Sequence, residues 1–230
     1  MEKVIYALSR SNADTPQAFA QSLVNELGPK LMQCGVHKLS IAVRDADVSA
    51  ADTLRIVNRE PAIEAVVAVW LDSSNERVAL ENNLRESAGS VDGYLVCESE
   101  PLRDHEPTGG GERTPGMMQI AFLKVPPGMD KDEWFSIWRY DHTAVAIETQ
   151  STFVYRQNLV VRPLTPGAPP CAAIVEEAFP ADAMSSQQAF YDAVGDDEKL
   201  ERNRRRMWES SKRFVDVASI NVVPTSEYVW

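Results

Sequence analysis

Five consecutive residues, Trp138-Arg139-Tyr140-Asp141-His142, bring an indole, a guanidinium, a phenol, a carboxylate and an imidazole into one short stretch. An imidazole titrates near neutral pH and can give or take a proton, and a guanidinium or phenol beside it can hold a developing oxyanion. Which way these side chains face is a matter of helical spacing. Asp130 stands three residues before Glu133, the spacing of a capping box, and predicts a helix beginning near Lys131. Trp134, Ile137, Trp138 and Val145 recur at helical intervals and define its buried face. His142 follows Trp138 by four residues, roughly 40° around the axis, which turns it inward. Arg139 falls at the edge of that face, with Tyr140 and Asp141 beside the buried row. An inward histidine is either a core imidazole satisfied by one carbonyl or an acid/base at the floor of a pocket. Spacing alone leaves both readings open.

The elements around this helix have a regular order. The branched and aromatic run 118–125 reads as a strand stopped by Pro126-Pro127-Gly128, and the helix should cover 131–149. Strands are expected over 152–161, 171–179 and 214–223, with the proline-rich segment 163–170 as a loop and helical pieces over 185–194 and 197–212. The first half gives the same sequence of elements. A strand over 3–9 is followed by a helix from Pro16 carrying Phe19, Leu23, Leu27 and Leu31, then strands over 36–43 and 63–71, a helix over 74–87 and a strand over 91–99. A short helix near 53–58 interrupts the connection 45–61. Residues 101–117, with Pro107, Gly109-Gly110-Gly111 and Pro115 among charges, have a linker's composition, and His105 within them reads as solvated.

The expected architecture is therefore α+β, two ferredoxin-like βαββαβ repeats at 1–100 and 118–230, each with an apolar sheet face that needs a partner. The repeats differ at the key helix. Superposing them puts Asn25 under Arg139 and Gly28 under His142, so a site of this kind belongs to the second half.

Trp138-Arg139-x-x-His142 on a helix after a strand, Tyr155-Arg156-Gln157-Asn158 on the next strand, and Phe214-Val215-Asp216 near the end resemble the EthD family of the dimeric α+β barrel superfamily. The proline often found two residues after the family's histidine is replaced by Ala144. The resemblance covers about 116–230 and implies that the two sheets close on one another as an α+β barrel, with a connection to the metabolism of aromatic compounds, ethers or polyketides. It implies a cofactor-independent lyase, isomerase or monooxygenase acting on a small hydrophobic aromatic or carbonyl compound. His142 would be the acid/base, Arg139 or Tyr155 would stabilise an oxyanion, and Trp138, Phe122 and Tyr140 would wall the pocket. A non-catalytic small-molecule binding or accessory protein is the alternative. No cofactor is called for, although similar barrels include proteins whose histidine ligates haem, and the sequence excludes neither these nor a homodimer.

Composition narrows the partners. A chain of 230 residues, 44% hydrophobic, can bury a sizeable core, and a net charge of −11 argues against nucleic acid and anionic membranes. Arg202, Arg204, Arg205 and Arg206 are interleaved with carboxylates and read as an ion-paired helix face. Cys34, Cys97 and Cys171 are odd in number and far apart, and His37, on a strand pattern, reads as packed. Three scattered histidines suggest no metal site. No apolar run is long enough to span a bilayer and none reads as a signal peptide, so the expected compartment is the cytoplasm.

Overall fold

The computed structural model describes residues 1–103 and 109–230; His105 lies outside the described residues. The chain runs β1 (Glu2–Ser9), α1 (Pro16–Ser22), a π-helical turn over Leu23–Leu27, α2 (Gly28–Met32), β2 (Lys38–Val43), β3 (Ala65–Leu71), α3 (Val78–Ser87) and β4 (Ser90–Arg103). It continues through β5 (Glu112–Arg113), β6 (Met117–Leu123), α4 (Lys131–Ser136), a second π-helical turn over Ile137–His142, α5 (Thr143–Thr149) and β7 (Val154–Pro163). β8 (Ala173–Phe179), α6 (Gln187–Phe190), α7 (Asp197–Ser211) and β9 (Asn221–Val229) complete it.

Strand alternation explains the layers. In β1, Val4, Tyr6 and Leu8 face the helices, while Ile5 and Ala7 face inward with Val66, Ala68 and Ile120 of other strands. Every pairing is antiparallel, in the order β2-β3-β1-β4-β7-β8-β6-β9, and β2 pairs with β9 to close an eight-stranded barrel; the two-residue β5 adds to the side of β9. The fold is thus α+β, a barrel with helices packed on its outside. Two seams join the halves: β4 with β7, from Tyr94↔Pro163 to Arg103↔Val154, and β2 with β9, from Ser40↔Val229 to Val43↔Ser226.

Several expectations change. The barrel interior is not simply apolar. Lys3 Nζ lies 2.7 Å from Glu176 and 2.5 Å from Glu98, and Arg156 reaches Glu227 at 2.7 Å and Glu100 at 3.2 Å. Lys3, Arg156, Glu176 and Glu227 are buried on their strands, and ion pairing offsets the cost of burying them. The sheet also runs into both ends of the expected linker, as the end of β4 and as β5. The last strand begins at Asn221 rather than 214, because the backbone N–H groups of Phe214 and Val215 bond to the end of α7, and Asp216 accepts from Ser219 and Ile220 in a turn. The helix expected over 185–194 is only Gln187–Phe190, and the connection after β2 holds a 3₁₀ segment at Ala46–Leu54 instead of a helix near 53–58. His37 precedes β2 and is exposed, paired with Asp72 at 2.8 Å, so it is not a packed residue.

Candidate functional site

Asp130 caps α4 by accepting from the backbone N–H groups of Asp132 and Glu133 at 2.9 and 3.0 Å. From there the helix buries Trp134 and Trp138 on the sheet, stacked with ring centroids 5.2 Å apart. The π turn then changes the facing. It adds a residue to one turn, so the inward row continues through Thr143 and Ala146 instead of His142 and Val145. Thr143 Oγ1 donates to the Trp138 carbonyl five residues back, and Gln157 on β7 donates to Thr143 Oγ1. His142 is buried, as expected, but sideways. Its Nδ1 lies 2.9 Å from Ser210 Oγ on α7, and its ring centroid is 4.7 Å from that of Phe214. Burial lowers its pKa to about 4, so the imidazole is neutral at physiological pH.

The other candidate residues are spread over three layers. Tyr155 lies under the helix on the outer sheet face; burial raises its pKa well above the usual value, as does the Glu177 carboxylate, against a hydrogen bond with Thr143. Arg139 is half-buried, its guanidinium 5.6 Å from the Phe135 ring centroid. Tyr140 is 64% exposed and touches Phe135 edge-on. Trp138 is fully buried, and its indole Nε1 has no hydrogen-bond partner among the described residues. Phe122 points into the barrel, on the opposite side of the sheet from His142. Phe122 is thus separated by the sheet from His142, Arg139 and Tyr155 on the helix side.

The concave space lies elsewhere on the same helix. A cavity of about 720 Å³ is walled by Trp134 and Phe135 of α4, Leu159, Val160 and Val161 of β7, and Pro169 of the proline-rich loop. Lys124, Lys131, Asp132 and Arg162 supply its charged groups. A pocket of about 30 Å³ at the barrel mouth adjoins it, sharing Lys124, Pro169, Pro170 and Cys171, and is lined by Phe122, Tyr94 and Asn221. Phe122 is therefore near this space, though not in the larger cavity, and His142 lines neither. Burial pushes the Cys171 thiol up to about 12, which keeps it protonated and a poor nucleophile. On its other side, the helix and α7 form an open groove of about 420 Å³ lined by Asp141, Val145, Ser210 and Arg213, next to the His142 partner.

Sequence reasoning missed Trp134 and Phe135 as cavity residues; the signal was the proline-rich loop, whose stiffness makes it a wall as well as a connection. It also missed Glu177, a buried carboxyl raised by burial to about 7 against a hydrogen bond with Gln119. The adjacent pair Glu176-Glu177 inside an apolar strand was the available sign. Gly28, the residue that the expected repeat lays under His142, has no space beside it. A Cβ on Gly28 would stand 2.7 Å from the Trp230 ring, which occupies that space. Among the described residues there is no group of three or more His, Cys, Asp or Glu that could hold a metal, and no helix is long and apolar enough to cross a membrane.

A solved structure of an anthrone oxidase-like protein superposes with a TM-score of 0.58 at 12% identity, covering 100% of this chain and 91% of that one, which establishes a shared fold. Two proteins described as monooxygenases match more weakly. The one from Lactobacillus acidophilus NCFM has a TM-score of 0.48 and 11% identity over 98% of this chain and 93% of its own. The one from Fusobacterium nucleatum has 0.48 and 12% over 99% and 91%. No curated protein matches the sequence. The stretch from the Pro126 turn through α4, the π turn, β7, β8 and α7 to Val217 matches one family profile, and residues 126–217 are an EthD domain.

Proposed function

We propose that the protein binds a small hydrophobic aromatic or carbonyl compound in the cavity between α4, β7 and the proline-rich loop. The observation that carries this reading is the cavity itself: about 720 Å³, within the EthD domain and its margins, with indole, phenyl, leucine, valine and proline walls. Small-molecule sites are typically of this size and character. The ring of Trp134 reports on occupancy. Titration of the purified protein with phenolic and β-keto acid compounds should quench its emission, and Phe135→Ala should weaken every ligand that does so. Absence of binding across such a panel would remove the reading.

Cofactor-independent catalysis is the second reading, with His142 as acid/base and Arg139 or Tyr155 at the oxyanion. Its support is the neutral imidazole, the form a general base requires, beside the groove lined by Ser210 and Asp141. It requires a ligand to reach the ring from the α7 side. Turnover by wild type that His142→Ala lacks would select it over an accessory role without catalysis. His37 and His142, the described histidines, do not line the cavity, so among the described residues it offers haem no axial imidazole; a visible spectrum unchanged by added haem is the expected result.

The two halves also read as tandem copies of one ferredoxin-like unit. In support, the strand order β4-β1-β3-β2 recurs as β9-β6-β8-β7, and a π turn follows the first helical segment in both. Because the barrel closes within one chain, a homodimer is not needed to complete it. Sedimentation would give the solution state.

A further inference from the structure

We propose that the cavity selects an aromatic carboxylate, with the ring against Trp134 and Phe135 and the carboxylate among Lys124, Lys131 and Arg162. This inference rests on the binding reading above and specifies the ligand's charge. Three cations and one carboxylate, Asp132, line an otherwise apolar space in a chain whose net charge is −11. The local sign is opposite to the global one.

Among the described residues these cations are also left without an ion pair. Arg44, Arg59, Arg77 and Arg213 each lie within 3 Å of a carboxylate oxygen. Lys124, Lys131 and Arg162 make no ion pair among the described residues, although this acidic chain supplies carboxylates in excess. Cations beside a low-dielectric wall attract an anion more strongly than the same groups in open solvent, because the wall reduces screening. Their aliphatic stems extend the apolar surface while the charged heads remain available. An uncharged aromatic compound would gain the wall but leave the cations unpaired. A small hydrophilic anion would gain the charges and lose the wall.

The test compares 2-naphthoic acid with the uncharged, equally sized 2-naphthamide by calorimetric titration of the full chain. The acid should bind about tenfold tighter or more, a difference that added salt erodes for the acid alone. The double variant Lys131→Gln/Arg162→Gln should lose about tenfold for the acid and leave the amide unchanged. Phe135→Ala should weaken both. Equal or tighter binding of the amide, or a double variant with unaltered acid affinity, would overturn the proposal while leaving the binding site standing. Failure of both compounds to bind would overturn the site as well.

Discussion

Lys3 Nζ lies 2.7 Å from Glu176 Oε2 in the barrel interior, although the two residues are 173 positions apart. One comes from the first strand of the first half and the other from the third strand of the second. Burial would raise the Glu176 carboxyl, but Lys3 and Arg156, together with hydrogen bonds from Lys3 and Asn158, bring it down to about 2. Glu176→Ala should therefore destabilise the fold by about 3–5 kcal/mol, because it leaves a buried ammonium short of a partner. Lys3→Met combined with Glu176→Leu should recover most of that loss in urea unfolding. Additive losses in the double variant would show that the pair contributes no coupling.

Acid should act through the same carboxyl. A folded pKa depressed from 4.5 to about 2 gives stability that is complete above 4.5 and declines as pH falls through that interval. Unfolding midpoints for wild type and Glu176→Gln should converge as pH is lowered toward 2.

Glu177 and His142 should produce opposite slopes. Glu177 has its pKa raised from 4.5 to about 7, so the folded state binds the extra proton between those values and stability falls as pH rises. His142, lowered from 6.5 to about 4, makes stability rise with pH from about 4 to 6.5. The two nearly cancel in wild type over their shared window. Glu177→Gln should unmask the histidine slope and gain up to about 3 kcal/mol above pH 7, with no gain below 4.5. A variant whose pH profile parallels wild type would refute this assignment.

His142→Ala should lower stability by about 1–3 kcal/mol, through loss of packing on Phe214 and an orphaned Ser210 hydroxyl. Ligand affinity in the Trp134 cavity should not change, since the imidazole is not in its lining. A drop in turnover per folded molecule of about 10²–10⁴ would instead identify the ring as a working acid/base.

Gly28→Leu should displace Trp230, whose ring stands where the added side chain must go. A red-shifted tryptophan emission and a loss of about 1–3 kcal/mol are expected. Unchanged emission would mean the helix, not the indole, moves aside.

Much of the fold was legible because period-two and helical apolar patterns survive in the local sequence: Val4-Tyr6-Leu8 against Ile5-Ala7, and Phe19-Leu23-Leu27-Leu31. What was not legible is non-local. The strand ending in Tyr228-Val229 contains Pro224, which argues against a paired strand, yet Pro224 sits opposite Gln119 in the ladder. Phe214 and Val215 looked like the start of that strand, but their backbone groups belong to the turn after α7. The π turn is invisible to a 3.6-residue count, so His142 was assigned the direction that Thr143 takes. Burial of the imidazole could be read from its neighbours. Its partner on α7 and the loop that walls the cavity depend on tertiary packing that no local pattern encodes.

The β2–β9 seam has a consequence for symmetry. A barrel assembled from two identical chains repeats each substitution across its axis, so a bulky group introduced at one helix must be tolerated at both. Here a single polypeptide supplies both sides of the ring, and no residue is obliged to face its own duplicate. One helix can give up volume at Gly28 to receive the Trp230 indole while the other keeps an imidazole at His142. The freedom of the two sides to differ follows from where the ring is covalently joined, before any question of chemistry arises.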